Sequence, residues 1–313
     1  MTSTHTSNPS EPGQPALTPP ILGGSIAGDL PVPEFADLIF EDLGPVARVT
    51  LNRPAVTNAL SIQLSSDLAR VVEYLRDCDR FKVVIITGTG NNFCAGDDLT
   101  EMNSGIWGNA AQVVRRVKFY QHMANTLEEL DKITIAAVDG YFVGGGLEIT
   151  MACDFVICTE RAKWGMPEVD WGITPGWGGT TRLARLVGRR MAKEINLLGA
   201  LHGARRALDL GLINRVVPND QLAAETDRLV QVLLSKNQQG VRQLKMILNK
   251  GIEADLYTAQ GFEAVQAGFT SSTLWRQDIP DSDSSHGWDT YKGRLADSKT
   301  RERREMAKNF WVD

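Results

Sequence analysis

The sequence predicts an α/β protein, and three observations lead there. Val46 to Leu51 alternates apolar and polar residues, as a half-buried strand does. A stripe of Leu64, Leu68, Val71, Val72 and Leu75 then follows helical spacing over residues 62–76. Phe81 to Thr87 is apolar almost throughout and reads as a second strand. A strand, a crossover helix and a strand in that order are the unit of an α/β core.

The remaining elements follow in chain order. Residues 1–34 are rich in Ser, Thr, Pro and Gly, and Pro19-Pro20, Gly23-Gly24 and Pro31-Val32-Pro33 break any period. They are expected to be a disordered extension, with the fold starting near Phe35. Asn52-Arg53-Pro54 ends the first strand, Asn58-Ala59-Leu60-Ser61 leads into the helix, and residues 88–92 form a turn. Residues 101–111 have no firm period and are expected to be a mobile wall over a site. A helix over 112–130 leads to the apolar run Ile133 to Val138, a buried strand. Helices are expected over 181–187, 191–198, 203–210, from Asp220 as cap to Leu234, and over 241–250 and 255–269, with strands at 154–158 and 213–217. This divides the chain into a core over 35–200 and a helical region with a tail over 201–313. Trp288, Tyr291, Phe310 and Trp311 punctuate that tail, and it is expected to bury aromatics between subunits.

Composition narrows the function. Hydrophobic residues make up 42% of the chain, enough for a sizeable core. A formal net charge of -5 gives no general attraction to nucleic acid. The basic residues between Lys292 and Lys308 are diluted by acids and read as a solvated face or a subunit contact. Cys78, Cys94, Cys153 and Cys158 show no zinc-site spacing and read as reduced, packed thiols. No stretch is long and apolar enough to span a bilayer. The first 35 residues hold no Lys or Arg, unlike a secretory or mitochondrial leader, so a cytoplasmic protein is expected.

The chemistry concentrates in residues 133–179. After the strand come Gly144-Gly145-Gly146, a helix opening at Leu147-Glu148, and then Gly165-Met166-Pro167-Glu168. Strand, glycine loop and helix start make a place for negative charge. With Glu148 and Glu168 close by, the pattern points to acid–base chemistry beside an oxyanion. The adjacent acids Asp97 and Asp98 lack the partners of a metal site, so no metal is expected and their role is read as capping and loop bonding. His122 reads as a structural or exposed helical residue. The three glycines lack G-x-G-x-x-G spacing, which speaks against a nicotinamide cofactor.

The motifs taken together resemble the crotonase superfamily, the enoyl-CoA hydratases and isomerases. They are Asn52-Arg53-Pro54 with Asn58-Ala59-Leu60, Phe93-Cys94-Ala95-Gly96-Asp97-Asp98-Leu99, Gly144 to Glu148, Cys153-Asp154, and Gly165 to Glu168 running into Gly172-Ile173-Thr174-Pro175-Gly176-Trp177-Gly178-Gly179. The resemblance covers about residues 37–270. It implies a core of repeated ββα turns, a helical C-terminal trimerisation region, and a trimer or dimer of trimers, with a homohexamer expected. The implied ligand is an acyl-CoA thioester; coenzyme A is part of the substrate and no separate cofactor is implied.

By position, the resemblance assigns Glu148 and Glu168 to proton transfer and the N–H groups of Ala95 and Gly145 to an oxyanion hole. Val56, Asn58, Ala59, Leu60, Ala95, Asp98 and Leu99 would line the CoA channel, and Asp154 would be structural. Many relatives have a lysine where this chain has Thr100. Met102, Trp171 and Trp177 are assigned to the acyl pocket. Trp177 between two glycines is expected to narrow it in favour of short, branched, cyclic or flat aromatic chains, whereas Trp164 and Trp171 read most plainly as core. Retention of both glutamates favours hydration of a 2,3-enoyl-CoA. The alternatives are an isomerase, lyase or hydrolase on the same scaffold, acting on an aromatic or cyclic acyl group, and an idle scaffold that binds acyl-CoA or RNA.

Overall fold

The computed structural model describes residues 30–276 and 298–310. The main sheet holds β1 (Leu38–Asp42), β2 (Val46–Leu51), β3 (Val83–Gly88), β4 (Ile133–Val138), β6 (Phe155–Thr159) and β9 (Arg215–Val217), side by side in that order. β1 runs antiparallel to β2 and every other pairing is parallel. Both faces are covered. Val84, Ile86, Ala136 and Val138 join Leu64, Leu68 and Val71 of α1 (Ile62–Asp77) on one side. Val83, Ile85, Ile133, Ile135 and Ala137 join Leu229 and Val230 of α8 (Leu222–Leu234) on the other. Successive strand residues face opposite ways, so two covered faces give an unbroken apolar run, as β3 and β4 show.

A second layer is built from very short strands: β5 (Tyr141–Val143), β7 (Lys163–Gly165) and β8 (His202–Gly203). Single parallel bridges, Leu60 with Asp97 and Cys94 with Phe142, extend it on one side. Along the chain, a main-sheet strand is followed by a short strand or bridge and then a helix. β4, β5 and α4 (Gly145–Met151) make the fullest such turn. This is the expected α/β superhelix of ββα turns. The short strands had no signal of their own, because two or three residues cannot show a period.

Several boundaries differ from expectation. α2 (Leu99–Asn103) occupies part of the stretch without a period; the Asp98 side chain caps it, and Glu101 Oε2 accepts the Ile62 N–H at 2.7 Å, tying it to α1. Residues 104–109 lead to α3 (Ala110–Glu129), which opens with an Asn109/Gln112 capping box. Asp220 does not cap α8: Gln221 precedes that helix and gives it no side-chain cap bond. Past β7 and a 3-10 turn at Pro167–Trp171 come α5 (Gly179–Val187), α6 (Arg189–Leu198) and α7 (Ala204–Asp209). After α8 the chain ends in α9 (Gln238–Gly251), α10 (Leu256–Arg276) and α11 (Ser298–Phe310). Of the expected extension over residues 1–34, residues 1–29 lie outside the described residues, as do Trp288, Tyr291 and Trp311, while Leu30 packs against the core.

Candidate active site

The site lies where the loop after β3, the start of α4 and the 3-10 turn meet. A cavity of about 280 Å³ opens there, lined among others by Val56, Ala59, Ala95, Asp97, Asp98 and Leu99 on one side. Met102, Val143, Gly144, Glu168, Trp171 and Ile173 form the rest of the wall. A larger cavity of about 550 Å³ between α3, α5 and α9 contains none of the acids discussed below.

Glu148 is 1% exposed in the first turns of α4. Its Oε1 accepts the N–H groups of Trp177 at 2.8 Å and Gly179 at 2.6 Å. Gly179 is required there, since a Cβ would fall 2.5 Å from Glu148 Cγ. Burial, and then the charge of Glu168, push the Glu148 carboxyl up to about 8 against the pull of the two donors. Glu168 is buried too, and burial followed by the charge of Asp97 raises it to about 7. Among the described residues Glu168 Oε2 has no hydrogen-bond partner, while Oε1 lies 2.7 Å from where a Cβ on Gly144 would sit. Gly144, with φ at +51°, lets that carboxylate close on the backbone.

The backbone donors differ from expectation at one position. The Ala95 N–H donates to Thr57 O at 3.0 Å and is not available to a ligand. The Leu60 N–H donates to Gly96 O at 2.8 Å and the Asp98 N–H to Leu60 O at 3.1 Å. This parallel bridge uses the groups on either side of Asp97 and leaves the Asp97 N–H directed away from Leu60. Gly145, the first residue of α4, has no acceptor within its helix. Among the described residues, the amides left without an acceptor at this junction are therefore those of Asp97 and Gly145. The spacing Gly96-Asp97 after a short bridge is the signal that could have found the first of them.

The other assigned residues divide as follows. Val56, Ala59, Ala95, Asp98 and Leu99 line the cavity, while Asn58 and Leu60 do not. The fully buried Asn58 side chain accepts the Arg53 N–H and donates to Thr89 O and Asn92 O, so it holds loops together. Asp98 pairs with Arg53 Nη1 at 2.9 Å and accepts the Thr100 N–H. Although burial raises it, those partners hold its carboxyl below the usual range. Among the described residues, the wall contains no Lys or Arg. Met102 and Trp171 are in the wall, and Trp171 is 58% exposed rather than core. Trp177 is not in the wall: it is fully buried, stacked on Tyr120 at 4.3 Å, with Nε1 donating to Asp97 Oδ1 at 3.1 Å. Its position between glycines reflects a tight path past Glu148 and not a gate over the acyl group. Trp164 is core, its Nε1 bonded to Gly203 O at 3.0 Å. Asp154 accepts from Thr134 and from Lys245 Nζ, a structural role. His122 is exposed beside Glu73. No group of three His, Cys, Asp or Glu among the described residues is placed to hold a metal ion.

The ββα turns and their helical C-terminal segment define the class as an α/β fold of the crotonase type, with two buried glutamates beside its cavity. Residues 42–291 match the family described as Enoyl-CoA hydratase/isomerase, and the chain belongs to that family. It is 38% identical over 255 residues to the short-chain-enoyl-CoA hydratase of Clostridium acetobutylicum, covering 78% of this chain and 93% of that one. The crystal structure of enoyl-CoA hydratase from Bacillus anthracis superposes with a TM-score of 0.71 at 31% identity, over 83% of this chain and 97% of that one. A Thermobifida fusca protein solved in complex with acetoacetyl-CoA gives a TM-score of 0.71 at 32% identity, over 76% and 96% of the two chains.

Proposed function

We propose that this protein is an enoyl-CoA hydratase that adds water reversibly across the 2,3 double bond of an acyl-CoA thioester. The observation that carries the reading is the pairing of two buried glutamates in unlike surroundings, Glu148 with two N–H donors and Glu168 Oε2 with none. In this reading the N–H groups of Asp97 and Gly145 hold the thioester oxygen and gain strength as it becomes an enolate. Glu148 and Glu168, raised to about 8 and about 7, together retain a proton near neutral pH, and the reacting state in this reading is the one with that proton on Glu168. Water attacks the β carbon and gives a proton to the ionised Glu148, whose two N–H donors stabilise its charge, while Glu168 delivers its proton to the α carbon. One proton arrives and one leaves, so the pair regains its starting charge once Glu148 passes its proton to Glu168 or to solvent. The Clostridium relative's name and the acetoacetyl-CoA seen in the Thermobifida structure support a thioester ligand of this type.

A second reading has its own support. Glu168 lines the cavity, whereas Glu148 does not. A single carboxylate that moves a proton between two carbons would isomerise the double bond and not hydrate it. Purified protein mixed with short 2-enoyl-CoA esters decides between them: loss of conjugated-thioester absorbance with a 3-hydroxyacyl product supports hydration, and a shifted double bond with no hydroxyl overturns it.

The proposed assembly is a trimer or dimer of trimers. Leu248 on α9, Ile252 just past its end, and Leu256 and Val265 on α10 are each 67% exposed or more, apolar side chains that a partner subunit would cover.

A further inference from the structure

We propose that Asp97 is a positioning residue for Glu148: its carboxylate holds the Trp177 indole, and the Trp177 backbone N–H holds the carboxylate that receives the proton of the attacking water. The proposal deepens the hydratase reading and rests on it for the role of Glu148. Three observations carry it. Asp97 Oδ1 accepts Trp177 Nε1 at 3.1 Å, although the two are 80 positions apart in sequence. The Trp177 N–H donates to Glu148 Oε1 at 2.8 Å, so the link continues through one residue to the site. The indole has no slack, because it lies 4.3 Å from the Tyr120 ring at an interplanar angle of 3° and is fully buried. A rigid, stacked ring transmits a shift at one end to the other.

Asp97 also contributes through its charge. Its neighbours are Cys94 on its own loop, Tyr120 on α3, Glu148 on α4 and Glu168 on the 3-10 turn, with Arg116 beside Tyr120. Arg53, the nearby cation, is taken up by Asp37 and Asp98. Burial raises the Asp97 carboxyl to about 6 against the hydrogen bond from Trp177, so it is ionised at neutral pH. Its negative charge then raises both glutamates, which keeps a proton available on Glu168. Asp97 lines the cavity and supplies one of its amides, so the same residue offers the ligand a donor and supports the acid pair from behind.

The test separates anchor from charge. Asp97→Ala removes both, Asp97→Asn keeps an acceptor for the indole, and Trp177→Phe keeps the stacking ring but loses the N–H. Asp97→Ala and Trp177→Phe should each lower kcat on the order of 10²-fold with a small change in KM, as misplacement of a catalytic group does. The double variant should lose little more than either alone, since both cut one link. Asp97→Asn, which keeps an acceptor for the indole and loses the charge, should lose less of kcat than Asp97→Ala, and the limbs of its pH–rate profile should move to lower pH. Wild-type kcat and pH profile in Asp97→Ala would overturn the proposal, as would full additivity in the double variant. If Asp97→Ala does not fold, Trp177→Phe decides alone: unchanged kcat overturns the anchor. The indole ¹⁵N–H resonance of Trp177, identified by its loss in Trp177→Phe, needs no substrate. It should move with pH with a midpoint near 6 in the parent and stay fixed in Asp97→Asn. A parent that hydrates no enoyl-CoA but shows this titration would fault the hydratase reading and leave the link standing; a pH-insensitive resonance would remove the link itself.

Discussion

Gly179 donates its backbone N–H to Glu148 Oε1 at 2.6 Å, and no other residue could stand so close at that position. A β carbon on Gly179 would meet Glu148 Cγ at 2.5 Å and Oε1 at 2.6 Å. Gly179→Ala should therefore push the carboxylate out of place. The expected loss is on the order of 10²-fold in kcat with little change in KM, since a displacement near 1 Å is enough. Gly144→Ala should act the same way on Glu168, with backbone strain added. Steady-state kinetics on variants with unchanged circular dichroism check both; kcat within about twofold of the parent would refute the geometry.

The buried acids make stability depend on pH. Glu148 is raised from 4.5 to about 8 on folding. Between those values the folded chain binds more protons than the unfolded one, so stability should fall as pH rises through that window. Glu148→Gln removes this dependence while keeping an acceptor for the two N–H groups. Its melting temperature should exceed that of the parent by a few degrees near pH 8.5 and approach it near pH 5. Parallel melting curves for the two proteins would contradict the raised value.

Trp171, and not Trp177, lines the cavity. Trp171→Ala should shift kcat/KM towards longer acyl chains relative to crotonyl-CoA, within the roughly 10–200-fold range of apolar pocket discrimination. Equal ratios in parent and variant would remove Trp171 from the list of specificity residues.

The apolar face on α9 and α10 predicts assembly. Leu248→Glu combined with Ile252→Glu should lower the mass seen by light scattering from that of an oligomer to that of a single chain. An unchanged mass would place the interface elsewhere on the surface.

How much of this was legible in the sequence depended on the length of each element. α1 and β4 declared themselves, because a 16-residue helix and a strand covered on both faces leave long, regular patterns. β5, β7 and α2 did not, since three to five residues carry no period. The two glutamates stood out beside their glycines. The Ala95 assignment failed because backbone donors leave no mark on side-chain identity; only the bridge between Leu60 and Asp97 shows which amide is spent. Trp177 was misplaced for a related reason. A large ring between glycines looks the same in sequence whether it faces a ligand or, as here, stacks behind it on Tyr120.

The proposed hydration needs Glu148 and Glu168 as separate proton-transfer groups, one for water and one for the α carbon. Hydration of crotonyl-CoA by Glu148→Gln and Glu168→Gln, with incorporation of solvent deuterium at the α carbon followed alongside, tests it most directly. Each variant should lose roughly 10²–10⁴-fold in hydration. Glu168→Gln should also lose α-deuterium exchange into 3-hydroxybutyryl-CoA, while Glu148→Gln keeps more of it. Hydration at the parent rate in either variant, or equal loss of exchange in both, would contradict the division of labour between the two carboxylates.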